Sequence, residues 1–151
     1  MNNTPQVKAP WLKSKDPEVP AALTYSELSM CSRVEEMVRR YPDYIAYEFM
    51  GKCTTYAEMW KKINACAKSL KAIGIREGDK VTICMPNAPQ TLCMFYAVNM
   101  VGAIANMVHP LSAESEIAFY LRDSGSVAAI TLDQFYNKFE SVRKAVDLPC
   151  P

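Results

Sequence analysis

The sequence predicts an α/β fold, a mostly parallel sheet flanked by helices and preceded by a helix and a short β-hairpin, and three observations carry that prediction. Apolar runs at 80–85, 103–108 and 127–132 alternate with longer segments of helical period. Glycine, proline and an Asp-Ser-Gly corner punctuate the junctions. The runs are continuous rather than alternating, as suits strands covered on both faces. Strand, helix, strand in succession implies right-handed crossovers into a parallel sheet.

Ahead of this pattern, residues 1–25 hold Pro5, Pro10, Pro17 and Pro20. Each proline removes a backbone donor, so this segment is expected to be an irregular N-terminal arm that wraps a surface. Residues 26–151 are expected to form one layered unit. From Ser29, the residues Cys31, Val34, Met37, Val38 and Tyr41 recur at helical spacing until Pro42 stops the run. YIAYEFM and KCTTY, joined around Gly51, read as a hairpin. Tyr56, Met59, Trp60, Ile63, Cys66, Ala67, Leu70 and Ile73 then make one stripe that ends at Gly74, with Lys61, Lys62, Lys68 and Lys71 opposite.

KVTICM (80–85) is the next strand, and Asn87 stands where it can cap a helix over 88–101 with Pro89 in the first turn. The segment LCMFYAVNMVGAIANMV (92–108) raises the question of a membrane span. It carries Asn99, Gly102 and Asn106 and falls short of the ~20 apolar residues a spanning helix needs. It divides at Gly102 into a helix and a strand, both apolar all round and expected inside the core. Ser112 is placed to cap a helix whose Glu114 and Glu116 suit its positive end, and Asp123-Ser-Gly125 closes it. After VAAITL (127–132), Asp133 is placed to cap a last helix with Phe135, Tyr136, Phe139, Val142 and Val146 on one face.

Composition narrows the class of function. A chain of 151 residues with 50% hydrophobic and 22% charged content suits one soluble globular domain. Seventeen Lys and Arg against sixteen Asp and Glu leave a net charge of +1, so no field draws nucleic acid or an anionic membrane face. The opening MNNTPQVKAP lacks the apolar core of a signal peptide, and a cytoplasmic location is expected. Cysteines at 31, 53, 66, 84, 93 and 150 form no CxxC pair and read as reduced, structural thiols in preference to a metal site or a disulfide framework.

Chemistry is sparse. The glycines at 51, 74, 78, 102 and 125 form neither G-x-G-x-x-G nor G-x-x-x-x-G-K-[ST], whose backbone amides would cradle phosphate. No catalytic residue or metal ligand is assigned. A nucleophile pair of Cys93 with His109, the only histidine, is conceivable, but Cys93 falls mid-helix among apolar neighbours, where a thiol is not activated. His109, before Pro110, reads instead as a loop residue at the carboxyl end of a strand, the edge where ligands gather in parallel α/β sheets.

Taken together, TTYAEMWKKINACAKSLKAIGIREGDKVTICMPNAPQ (54–90) and YAVNMVGAIANMVHPLSAESEIAFYLRDSGSVAAIT (96–131) resemble the beginning of the AMP-forming acyl-CoA synthetase family. The first is similar to that family's T-Y-x-E helix, G-x-x-x-G-D-x-V strand and P-N turn; the second, to its G-A strand, N-P-type loop and D-S-G-A corner. With the upstream helix and hairpin, the resemblance covers about 30–146. LTYSEL (23–28) fits the first motif more literally, but only TTYAEM (54–59) is followed by the amphipathic helix and GDKV strand.

The resemblance implies a parent enzyme using ATP, Mg2+ and CoA on a carboxylate, a fatty acid first and an aryl acid next. It also implies that the phosphate loop, acyl pocket and lid lie beyond Pro151, so that this segment alone is inactive. His109, Ser112 and Lys138 are the expected neighbours of a CoA channel, with Arg143 nearby, whereas Asn137 and Glu140 stand where relatives carry CoA-contacting arginines. A homodimer through exposed apolar edges is a further expectation. The alternative is a non-catalytic α/β interaction or scaffold module derived from such a domain.

Overall fold

The computed structural model of the chain describes residues 9–20 and 22–146. Residues 1–8 and 21 of the expected arm, Cys150 and the loop expected after the last helix lie outside them. Within the arm, Pro10–Ser14 makes one 3-10 turn. Helix α1 (Met30–Arg40) starts at Ser29, whose side chain accepts a hydrogen bond from the Ser32 amide. Strands β1 (Ile45–Phe49) and β2 (Lys52–Thr55) pair antiparallel, with Phe49 opposite Lys52. The two residues between, Met50 and Gly51, have φ of 51° and 77°. Positive φ at both positions matches the right-handed twist of a hairpin, at a cost of roughly 1–2 kcal/mol for the non-glycine Met50.

Helix α2 (Tyr56–Ala72) opens with a reciprocal capping box. Thr55 Oγ1 accepts from the Glu58 amide at 3.3 Å, and Glu58 Oε2 accepts from the Thr55 amide at 2.9 Å. That Thr55 amide is the main cause holding the Glu58 carboxyl below its usual value. A depressed carboxyl stabilises the fold above its unfolded pKa, and the contribution disappears as pH falls through the folded value. Glu58→Ala is therefore expected to flatten the acid limb of a plot of urea midpoint against pH. An unaltered acid limb would show that the box contributes nothing to acid sensitivity.

Next come β3 (Lys80–Cys84), α3 (Pro89–Val101), β4 (Ile104–Met107), α4 (Glu114–Ser124), β5 (Ala128–Thr131) and α5 (Tyr136–Val146). The three strands form a parallel sheet in the order β4-β3-β5. The expected α/β class, with helices on both faces of a parallel sheet, is what the chain adopts. Period-2 alternation in β3 sends Val81 and Ile83 toward α2 and α3, and Cys84 toward α4 and α5. Residues 81–84 of β3 are all fully buried. Ile63 and Ile83 on one side and Ile117 on the other are likewise sealed from solvent. Each such side chain contributes about 1.5–3 kcal/mol by burial.

Helices α2, α3 and α4, each of which leads into a strand of this sheet, end alike. After α2, the Gly74 amide donates to Lys71 O and the Ile75 amide to Leu70 O; the same pair of bonds follows α3 at Gly102 and Ala103, and α4 at Gly125 and Ser126. This paired closure requires a left-handed residue, and Gly102 has φ of 84°. A Cβ there would lie 3.0 Å from Glu77 Cγ. Gly102 therefore divides the apolar stretch 92–108 as expected, and no helix among the described residues is long and apolar enough to cross a membrane.

Several expectations are corrected. Strand β4 is an outer strand, with Ile104 and Met107 about half exposed, rather than a core strand. Ile73 and Tyr136 are exposed: Ile73 sits at the cap of α2 while Ile75 takes the buried place, and Tyr136 lies one residue off the stripe of Phe135, Phe139, Val142 and Val146. Asn87 does not cap α3. The cap residue is Ala88, and the turn is closed by Thr91 Oγ1 donating to Pro86 O at 2.6 Å. Nor does Ser112 cap α4, whose cap is Ala113, its amide donating to Glu116 Oε2 at 2.9 Å. Asp133 opens a 3-10 turn, Asp133–Phe135, and accepts the Gln134 amide before α5 begins.

Candidate functional site

Because the three strands are parallel, their carboxyl ends meet on one edge. A cleft of about 440 Å³ opens there, lined by Met85 and Asn87 after β3, His109 and Leu111 after β4, and Gln134 and Phe135 after β5. A second, more apolar hollow of about 380 Å³ adjoins it, sharing Asn87 and Met107 and bounded by Phe49 of the hairpin and Phe95 of α3. The edge is held together by cross-strand bonds: Thr131 Oγ1 donates to Cys84 O at 3.0 Å, and the Val108 amide to Ile83 O at 3.0 Å.

His109, Ser112 and Lys138 come together at this edge. His109 is exposed on the loop after β4, and its Nδ1 accepts the Leu111 amide at 3.2 Å. Ser112 is half-buried, and its amide donates to His109 O at 3.1 Å. Lys138, half-buried on α5, donates from Nζ to Pro110 O at 3.5 Å and to Ser112 O. Its ammonium is thus turned onto the loop's own carbonyls. Arg143 forms a bidentate pair with Glu140, at 2.8 and 3.0 Å, and Arg143 is the leading cause of the lowered Glu140 carboxyl value.

Cys93 and His109 are not brought together. Cys93 is buried and shares a small hollow with Cys66 and Lys62 of α2. Burial is the main cause that pushes the thiols of Cys31, Cys66, Cys84 and Cys93 up, which keeps them protonated and weak as nucleophiles. Cys31, Cys53, Cys66, Cys84 and Cys93 are all free thiols, and Cys53 is exposed. Among the described residues no three His, Cys, Asp or Glu side chains converge as a metal site.

Sequence reasoning missed a buried polar cluster behind the edge. Thr82 Oγ1 and Ser126 Oγ share a hydrogen bond of 2.7 Å, and Asn106 Nδ2 donates to Thr82 Oγ1 at 2.9 Å and to Ser124 Oγ at 3.2 Å. It ties β3 and β4 to the end of α4. The Asp-Ser-Gly corner was the available signal, since Ser124 belongs to it, but Asn106 and Thr82, which complete the cluster, lie far away in sequence.

A family model described as "AMP-binding enzyme" matches residues 34–150. The chain belongs to the AMP-binding enzyme family. This match agrees with the region marked by the motifs. Among members of this family, a long-chain-fatty-acid–CoA ligase of Bacillus subtilis (strain 168) is 32% identical over 133 residues, 88% of this chain and 24% of that protein. The long-chain-fatty-acid–CoA ligase FadD13 of Mycobacterium tuberculosis is 37% identical over 95 residues, 63% of this chain and 19% of that protein. The chain thus spans about a quarter or less of the length of these relatives. In three dimensions, the inhibitor-bound N-terminal domain of FACL13 from M. tuberculosis superposes with a TM-score of 0.72 at 31% identity, over 79% of this chain and 30% of that one. An anthranilate CoA ligase, AuaEII, shares the fold at a TM-score of 0.72 and 23% identity, over 79% of this chain and 23% of that one.

Proposed function

We propose that the full-length protein is an ATP-dependent acyl-CoA ligase, with a fatty acid as its first substrate class and an aryl acid as the second. The supporting observation is the 32% identity over 133 residues to a long-chain-fatty-acid–CoA ligase. A carboxylate oxygen attacks the α-phosphorus of ATP and expels pyrophosphate. The CoA sulfur then attacks the acyl carbon, and AMP leaves. Residues 26–151 form part of the AMP-binding domain and supply a supporting wall, with 1–25 as its arm. His109 and Ser112 border the entry of the thiol substrate, and the protein works in the cytoplasm.

Placing the adenylating chemistry in the rest of the full-length protein is part of this proposal. Charge building on phosphorus needs preorganised donors and a metal. The glycines here form no phosphate cradle, and the described residues form no metal cluster. With purified full-length protein, CoA and magnesium ATP, AMP and acyl-CoA are expected to form with long straight-chain acids and more slowly with benzoates. Production of ADP would overturn the reading in favour of a different ligase chemistry, and no turnover with either class would overturn it in favour of a scaffold role.

A further inference from the structure

We propose that Lys138 is a positioning residue: it latches the β4–α4 loop to α5 and so sets His109 at the cleft, the geometry that the thiol substrate meets. The substrate part of this inference rests on the ligase reading, whereas the latch does not.

The loop from Val108 to Ala113 is tied down from two sides. On the sheet side, the Val108 amide donates to Ile83 O at 3.0 Å and Cys84 Sγ donates to His109 O at 3.6 Å. These bonds fix where the loop departs. On the helix side, Lys138 Nζ donates to Pro110 O and Ser112 O, the carbonyls that flank Leu111. These bonds fix where the loop returns. The ammonium is a steady anchor because Phe139 and Val142 of the same helix are buried against α4.

Between the two anchors, the imidazole is oriented by its own loop. Its Nδ1 accepts the Leu111 amide, so in neutral His109 this bonding assigns the proton to Nε2. The ring therefore offers a donor, suited to a carbonyl or phosphate oxygen of an incoming ligand. Lys138 spends two of its three donors on backbone carbonyls. The loop thus holds most of the ammonium's donor capacity, and Lys138 acts through it; a direct ligand contact by the remaining donor is an outcome that the test distinguishes.

The test uses full-length protein carrying Lys138→Met, which keeps the aliphatic stem, beside Lys138→Arg, which keeps charge and donors. In Lys138→Met, amide hydrogen exchange across 108–113 is expected to quicken about tenfold while β3 stays protected, because a charge-assisted bond is lost locally. Lys138→Arg is expected to restore most of the protection. In the same Met variant, KM for CoA should rise more than kcat falls. Loop exchange unchanged in Lys138→Met would overturn the latch. Unchanged exchange with weakened CoA binding would make Lys138 a direct contact instead. Quickened exchange with an unaltered KM would overturn the positioning role. If the full-length protein has no ligase activity, the ligase reading fails, and hydrogen exchange still decides the latch.

Discussion

Ile83→Ala is expected to destabilise the protein by about 2–5 kcal/mol, read as a fall in the urea midpoint with the m-value unchanged. Ile83 is fully buried in β3, with β4 and β5 on either side and α2 and α3 above it. Removing its branched side chain leaves a void bounded by regular elements that have little room to collapse. Ile104, on outer strand β4, is 53% exposed, and truncating it to alanine is expected to cost under about 1.5 kcal/mol. Equal losses at the two positions would contradict the placement of β3 at the centre of the sheet.

Asn106→Leu is expected to cost about 1–3 kcal/mol, although leucine is the more apolar residue. The amide serves two hydroxyls at once, Thr82 and Ser124, and Thr82 is completely shielded from water. Leucine would remove a donor from both, and Thr82 is at a position where water cannot replace it. Because Thr82→Val removes part of the same cluster, the double variant should lose less stability than the two single losses combined. Additive losses in a double-mutant cycle would show that the cluster is not one network.

Much of the layered architecture was legible in the sequence because it is written locally. Continuous apolar runs gave β3, β4 and β5, the stripe from Tyr56 to Leu70 gave α2, and Gly74, Gly102 and Gly125 marked the helix ends through the left-handed turn they permit. What depends on distant partners was not legible. An apolar run such as AIANMV fits an outer strand as well as a central one, since strand order is a tertiary property. Asn87 and Ser112 are good capping residues, but each stands one residue ahead of the cap, Ala88 or Ala113, and Thr91 and Glu116 close those turns by reaching back. At the cleft, the sequence gathered His109, Ser112 and Lys138 through a family resemblance. It could not show that the Lys138 ammonium points at the Pro110 and Ser112 carbonyls, 28 and 26 residues away. The Thr82–Ser126 bond spans 44 residues and was hidden for the same reason.

The central proposition is that these residues form a wall of an adenylating enzyme and lack its reactive centre. Carboxylate-dependent exchange of pyrophosphate into ATP, measured in parallel on the full-length protein and on residues 1–151, tests it most directly. Exchange by the full-length protein with only background from residues 1–151 is the expected result. Exchange above background by residues 1–151, or none by the full-length protein, would contradict it.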